Sequence, residues 1–125
     1  MVPMRKTNRF VLAAIMSLIG LPGYADEILI EDVQADRRGD NWTFAVTLRH
    51  VDTGWDHYAD GWEVRTIDGE VLGTRELLHP HETEQPFTRA LSGVGIPKGI
   101  GTVVVHARCS VDGWVGAPFE LTLAQ

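Results

Sequence analysis

Between Trp42 and His50 the chain alternates strictly, with Trp42, Phe44, Val46, Leu48 and His50 on one parity and Thr43, Ala45, Thr47 and Arg49 on the other. Successive side chains of an extended backbone point to opposite faces, so a period of two commits this segment to a half-buried β-strand. Its last inward position is a histidine rather than an aliphatic residue.

Weaker alternation marks the rest of the chain. Ile28 to Ala35 precedes that strand, separated from it by the polar turn Asp36-Arg37-Arg38-Gly39-Asp40. Trp62, Val64 and Thr66 alternate toward Asp68-Gly69, a hairpin signal, and Val71 to Leu78 returns from it. Pro86 to Leu91, Gly101 to Cys109 and Ala117 to Leu123 complete the set, with Asp112-Gly113 a second hairpin signal and Gly93 to Gly101 a connection. Seven short strands at this spacing, with no helical period and no repeat, predict a single immunoglobulin-like (fibronectin type III-like) antiparallel β-sandwich. An eight-stranded barrel is the alternative. Trp62 is expected in the core.

The N-terminus has the three parts of a secretory signal peptide. Arg5, Lys6 and Arg9 give a basic start, Phe10 to Leu21 an apolar run, and Gly23-Tyr24-Ala25 the small residues of a cleavage site before Asp26. The apolar run is shorter than the ~20 residues that span a bilayer, so cleavage is expected rather than a retained anchor. The division is therefore 1–25 signal peptide and 26–125 sandwich domain, periplasmic or secreted, with no stable membrane insertion after cleavage.

Removing the leader takes three of the 11 basic residues and none of the 17 acidic ones, leaving a net charge of −9. That excludes nucleic acid and anionic membrane surfaces as expected partners, because both attract basic patches. The single cysteine, Cys109, rules out an internal disulfide despite the oxidising destination. Stability must then come from packing or from a ligand.

Chain direction gathers the histidines. If alternate strands run up and down, His50, His57, His79, His81, Cys109 and Trp114 fall at one end of the domain. His106 lies about 10 Å lower, at ~3.3 Å per strand residue, and on the opposite parity. In His79-Pro80-His81 the proline holds the segment extended, so both imidazoles point one way. Together with His50 or His57, and with Asp52 or Asp56 as oxygen donors, they offer ligands for a metal ion. Imidazole with carboxylate suits Cu(II) or Zn(II), copper binding the tighter of the two; calcium would need more clustered oxygens. Cys109 is read as a small buried apolar residue rather than a ligand.

The function expected from this is a periplasmic or secreted metal-binding protein, holding copper or zinc. A metal-free interaction module using Trp55, Tyr58, Trp114 and Arg89 is the alternative, since aromatic residues and arginine concentrate at binding hot spots. Enzyme activity is not expected: there is no GxSxG elbow, and a two-metal dismutase site takes more histidines than the five present. The histidine end could also sense pH.

Three segments, His50 to Asp60, Leu77-Leu78-His79-Pro80-His81 and Gln85-Pro86-Phe87-Thr88-Arg89, resemble a family of small secreted bacterial proteins of uncharacterised activity. The resemblance implies a similar exported β-sandwich and carries no catalytic or binding role with it.

Overall fold

A computed structural model describes residues 27–124, which are all-β. The signal-peptide segment predicted for 1–25 lies outside the described residues. The described residues form eight strands: β1 (Leu29–Arg38), β2 (Asn41–Arg49), β3 (Ala59–Thr66), β4 (Val71–Glu76), β5 (Phe87–Val94), β6 (Thr102–Cys109), β7 (Gly113–Trp114) and β8 (Phe119–Thr122). They form a three-stranded sheet in the order β1-β2-β5 and a five-stranded sheet in the order β4-β3-β6-β7, with β8 also on β6. All pairings between these strands are antiparallel.

The count is eight rather than the expected seven because the last strand arrives in two pieces. β7 pairs the upper end of β6 (Cys109 with Gly113) and β8 pairs the lower end (Thr102 with Thr122). Gly116 separates them at φ +81°, and a Cβ there would collide with the Ile28 carbonyl. Only glycine fits so close to another backbone. Pro118 follows and cannot donate to a ladder. The segment 110–114, expected as a turn throughout, therefore ends in a short strand, and the fifth strand runs on to Val94 instead of stopping at Leu91.

The core lies between the two sheets. Every inward position of the alternating strand is buried: Trp42, Phe44, Val46 and Leu48, and beyond its end His50. They meet Trp62 and Val64 of β3 and the inward series Val103, Val105, Ala107 and Cys109 of β6. Trp62 is fully buried, as expected of it. At each end of this core the chain must turn, and the two ends are built differently. One carries the turns at Gly39, Gly69 and Gly99. The other carries the longer connections 50–58, 77–86 and 110–112.

Candidate metal centre

Three residues from two sheets meet beneath those longer connections. His50 follows the end of β2, His57 lies on a tight turn just before β3, and Cys109 is the last residue of β6. Their ligand atoms lie within 4.8 Å of one another. The His50 and His57 rings approach edge to face, with centroids 5.1 Å apart.

Each arrives there for a local reason. His50 and Cys109 both occupy the last inward position of an alternating strand, so the pleat delivers both to the top of the core. His57 closes a hairpin turn in which its N–H donates to the Gly54 carbonyl at 3.1 Å and its carbonyl accepts from Thr53 N–H at 3.0 Å. Gly54 sits at φ +139°, a conformation that side chains rarely adopt. Register then brings the thiol in, because Ala59, two residues after His57, pairs directly with Cys109.

A buried carboxylate fixes the orientation of His50. Its Nδ1 lies 2.6 Å from Asp52 Oδ1, and neither side chain is solvent-accessible. Asp52 Oδ1 also accepts from the Ala59 N–H at 3.0 Å, and Oδ2 accepts from the His81 N–H at 2.7 Å. With the carboxylate accepting throughout, the His50 hydrogen belongs on Nδ1 and the lone pair on Nε2. That Nε2 is buried, with no hydrogen-bond partner among the described residues. A buried ring nitrogen left unbonded costs free energy unless something occupies the space in front of it. Histidines that bind metals commonly donate their other ring N–H to a carboxylate in this way, which fixes the tautomer and the ring's orientation.

The sulfur has its own partner, since Val111 N–H donates to Cys109 Sγ at 3.4 Å. Metals are bound by the deprotonated sulfur of a cysteine. Two imidazoles and one thiolate are soft enough for copper or zinc and poorly matched to magnesium or calcium. Bonds of ~2.0–2.3 Å would draw these atoms closer together than they stand.

The other histidines lead different lives. His79 and His81 form a second pair, ring centroids 4.6 Å apart, but a guanidinium already occupies the lone pair of the buried ring. Arg89 Nη2 donates to His81 Nε2 at 2.9 Å and to Glu84 Oε1 at 3.2 Å. The His81 ring stacks on Phe87 with centroids 3.9 Å apart. Burial, then the Arg89 charge, then His79, hold the His81 pKa below the ordinary imidazole value. His79 is exposed, and its Nδ1 lies 3.2 Å from the Pro80 carbonyl. Asp52 supports the centre from behind, and Asp56 is exposed in the 50–58 loop. His106 faces outward beside Trp114, ring centroids 5.6 Å apart.

Gln85 ties the two groups together. Its Oε1 accepts from the His50 N–H at 3.0 Å and its Nε2 donates to the His81 carbonyl at 2.8 Å. Sequence reasoning passed over Cys109 as a ligand and Gln85 as a brace. For Cys109 the signal was available: like His50, it is the final inward residue of a strand running to the same end. Nothing in the sequence marked Gln85.

No family model matches the chain. A Halomicrobium mukohataei protein described as "Putative lipoprotein" is 48% identical over 73 residues, covering 58% of this chain and 35% of that protein. The chain thus spans about a third of the relative it matches. A hypothetical protein from Pyrococcus horikoshii OT3 shares the fold, with TM-score 0.53 over 78% of this chain and 90% of that one, at 16% identity. Among the described residues, no helix is long and apolar enough to cross a membrane.

Proposed function

We propose that this protein is an exported metal-binding β-sandwich whose centre is His50, His57 and Cys109, with copper the preferred ion and zinc the second choice. The supporting observation is the convergence of three ligand atoms within 4.8 Å, in a place where the buried His50 ring also carries a nitrogen, Nε2, with no hydrogen-bond partner among the described residues. A set of two histidines and one cysteine is the donor type of copper electron-transfer sites, and it also suits zinc with a fourth, external ligand. The only methionines are Met1, Met4 and Met16, so no thioether from the sandwich could complete a copper site.

The ligand set expected from the sequence, His50, His57, His79 and His81 with Asp52 and Asp56, narrows in this reading. His50 and His57 remain ligands, Asp52 orients His50, and the His79–His81 pair stands beside a guanidinium that disfavours a cation. We read the strand order as fibronectin type III-like, the three-stranded β1-β2-β5 sheet facing β4-β3-β6-β8. Export is supported by the leader-like N-terminus and by the lipoprotein name of the Halomicrobium mukohataei relative. The role proposed is carriage or buffering of the ion rather than turnover.

Titration of the exported protein with Cu(II) and with Zn(II) under anaerobic conditions tests this reading. One tightly held ion per chain is expected, with strong visible absorption from thiolate-to-copper charge transfer in the copper form. Fewer than half an equivalent of either ion, or uptake that persists in Cys109→Ser and His50→Ala, would end it.

A further inference from the structure

We propose that the end of the sandwich bearing the centre is a docking face for a protein whose contact patch is apolar and ringed by lysine or arginine. The proposal rests on the metal-site reading only for its purpose, the approach of a partner to the ion; the surface features stand independently of it.

Large apolar side chains are distributed unevenly over the surface. Each of the three connections at this end exposes at least one of them: Val51 (68% exposed) and Trp55 (67%) in 50–58, Leu78 (71%) in 77–86, and Val111 (58%) in 110–112. These loops form one platform rather than three separate tips. Asp52 of the first holds the His81 backbone of the second, and Tyr58 and Ser110 join the first to the third. Among the described residues the opposite end exposes two, Ile67 (61%) and Val71 (49%), both on the single β3–β4 turn. Leaving four large apolar groups in water on one braced surface is unfavourable unless a partner covers them.

Charge identifies the kind of partner. Asp56 adjoins Trp55, Glu82 lies in the loop of Leu78, and Asp112 adjoins Val111; all three are exposed. Three arginines near this end are paired, Arg49 with Glu31 at 2.6 Å, Arg89 with Glu84 at 3.2 Å and Arg108 with Asp60 at 2.9 Å, and Arg75 of β4 is half-buried below the loops. The platform is therefore apolar with an anionic rim. A lipid surface would call for a cationic rim, and a second copy would bring carboxylate against carboxylate. A partner with a complementary basic rim satisfies both the apolar tips and the charge.

The position also suits transfer. His50 and Cys109 are buried and His57 is half-buried in the loop of Trp55 and Asp56, so a partner seated on the tips covers the loop that carries His57.

Cytochrome c, a small protein with a lysine-ringed apolar face, is the probe. Its binding to the isotope-labelled exported protein is followed by NMR, alongside vesicles of zwitterionic and of anionic lipid and sedimentation of the protein alone. Bound metal is counted in every sample. The expected result is weak binding to cytochrome c that shifts the amides of residues 51–58, 78–84 and 110–112. It should weaken about tenfold in Trp55→Ser/Leu78→Ser, in Asp56→Asn/Glu82→Gln/Asp112→Asn, and on raising salt to ~1 M. A control pair at the far side, Ile67→Ser/Val71→Ser, should bind as the unmodified protein does. Shifts mapping elsewhere, no binding, indifference to the loop substitutions, preferential binding to vesicles, or self-association through the tips would each overturn the proposal. Docking without bound metal would leave the surface standing and remove the metal reading; bound metal without docking would do the reverse.

Discussion

Two histidine pairs share the top of this sandwich, and their neighbours give them opposite chemistry. His50 and His57 meet a cysteine sulfur and a carboxylate that holds one ring so that its free nitrogen faces inward. His79 and His81 lie closer together, yet an arginine donates to the buried ring of that pair. A guanidinium is always charged, so it repels a cation where a thiolate would attract one. Proximity of imidazoles is thus a poor guide to a metal site. The charge and the lone pairs left over after the hydrogen bonds are counted decide the matter.

The comparison can be broken by substitution. Cys109→Ser should have the largest effect on metal affinity, exceeding the ~10–100-fold cost of losing an outer-shell partner, because it removes the soft ligand itself. His79→Ala should change that affinity less than about twofold, as a site outside the ligand set does. Competition with a chromophoric chelator measures both, and a reversed order would exchange the roles of the two pairs.

Asp52→Asn comes next. The amide nitrogen would face a hydrogen-bond donor, and three contacts would be disturbed together. Metal affinity should fall ~10–100-fold, and the metal-free fold should lose about 2–4 kcal/mol. Denaturant unfolding with and without zinc separates the two effects; a fall in stability with unchanged affinity would leave Asp52 a purely structural residue.

A smaller effect concerns pH. The folded His81 pKa lies below that of the unfolded chain because of burial, Arg89 and His79, with Glu84 and Asp52 opposing. Between the two values the unfolded chain binds more protons, so stability rises with pH across that window. The contribution is present above about pH 6.5, the ordinary imidazole value, and is lost on acidification below it. His81→Phe, which keeps a flat ring against Phe87, should flatten the acid limb of a plot of Tm against pH. An unchanged limb would assign that sensitivity to other groups.

The smallest predicted effect belongs to Arg89→Ala. Losing the guanidinium should raise the His81 pKa toward its ordinary value, an upward shift visible in an NMR titration of the ring. A downward shift would mean that loss of Glu84's anchor outweighs loss of the arginine charge.

Much of the fold was legible along the chain. The inward residues Trp42, Phe44, Val46 and Leu48 were readable because alternation in a half-buried strand is a local property. Asp68-Gly69 was readable because a turn demanding positive φ advertises itself by its glycine, here at φ +98°. The division of the last strand was not. Gly116 and Pro118 mark a break only once the Ile28 carbonyl is known to press against that point.

The centre was half legible. Strand direction predicted which end His50 and Cys109 occupy, since both close an inward series on an upward strand. It could not show that a thiol 52 positions from His57 would be its neighbour, because that depends on β3 pairing β6 with Ala59 opposite Cys109. Nor could it show that Arg89 would claim His81. The sequence by itself determined the strands, their faces and the crowding of histidines at one end, because those follow from a period of two and alternating chain direction. Only the tertiary structure decided which side chains stand beside each imidazole, because that depends on partners brought together across the sheets.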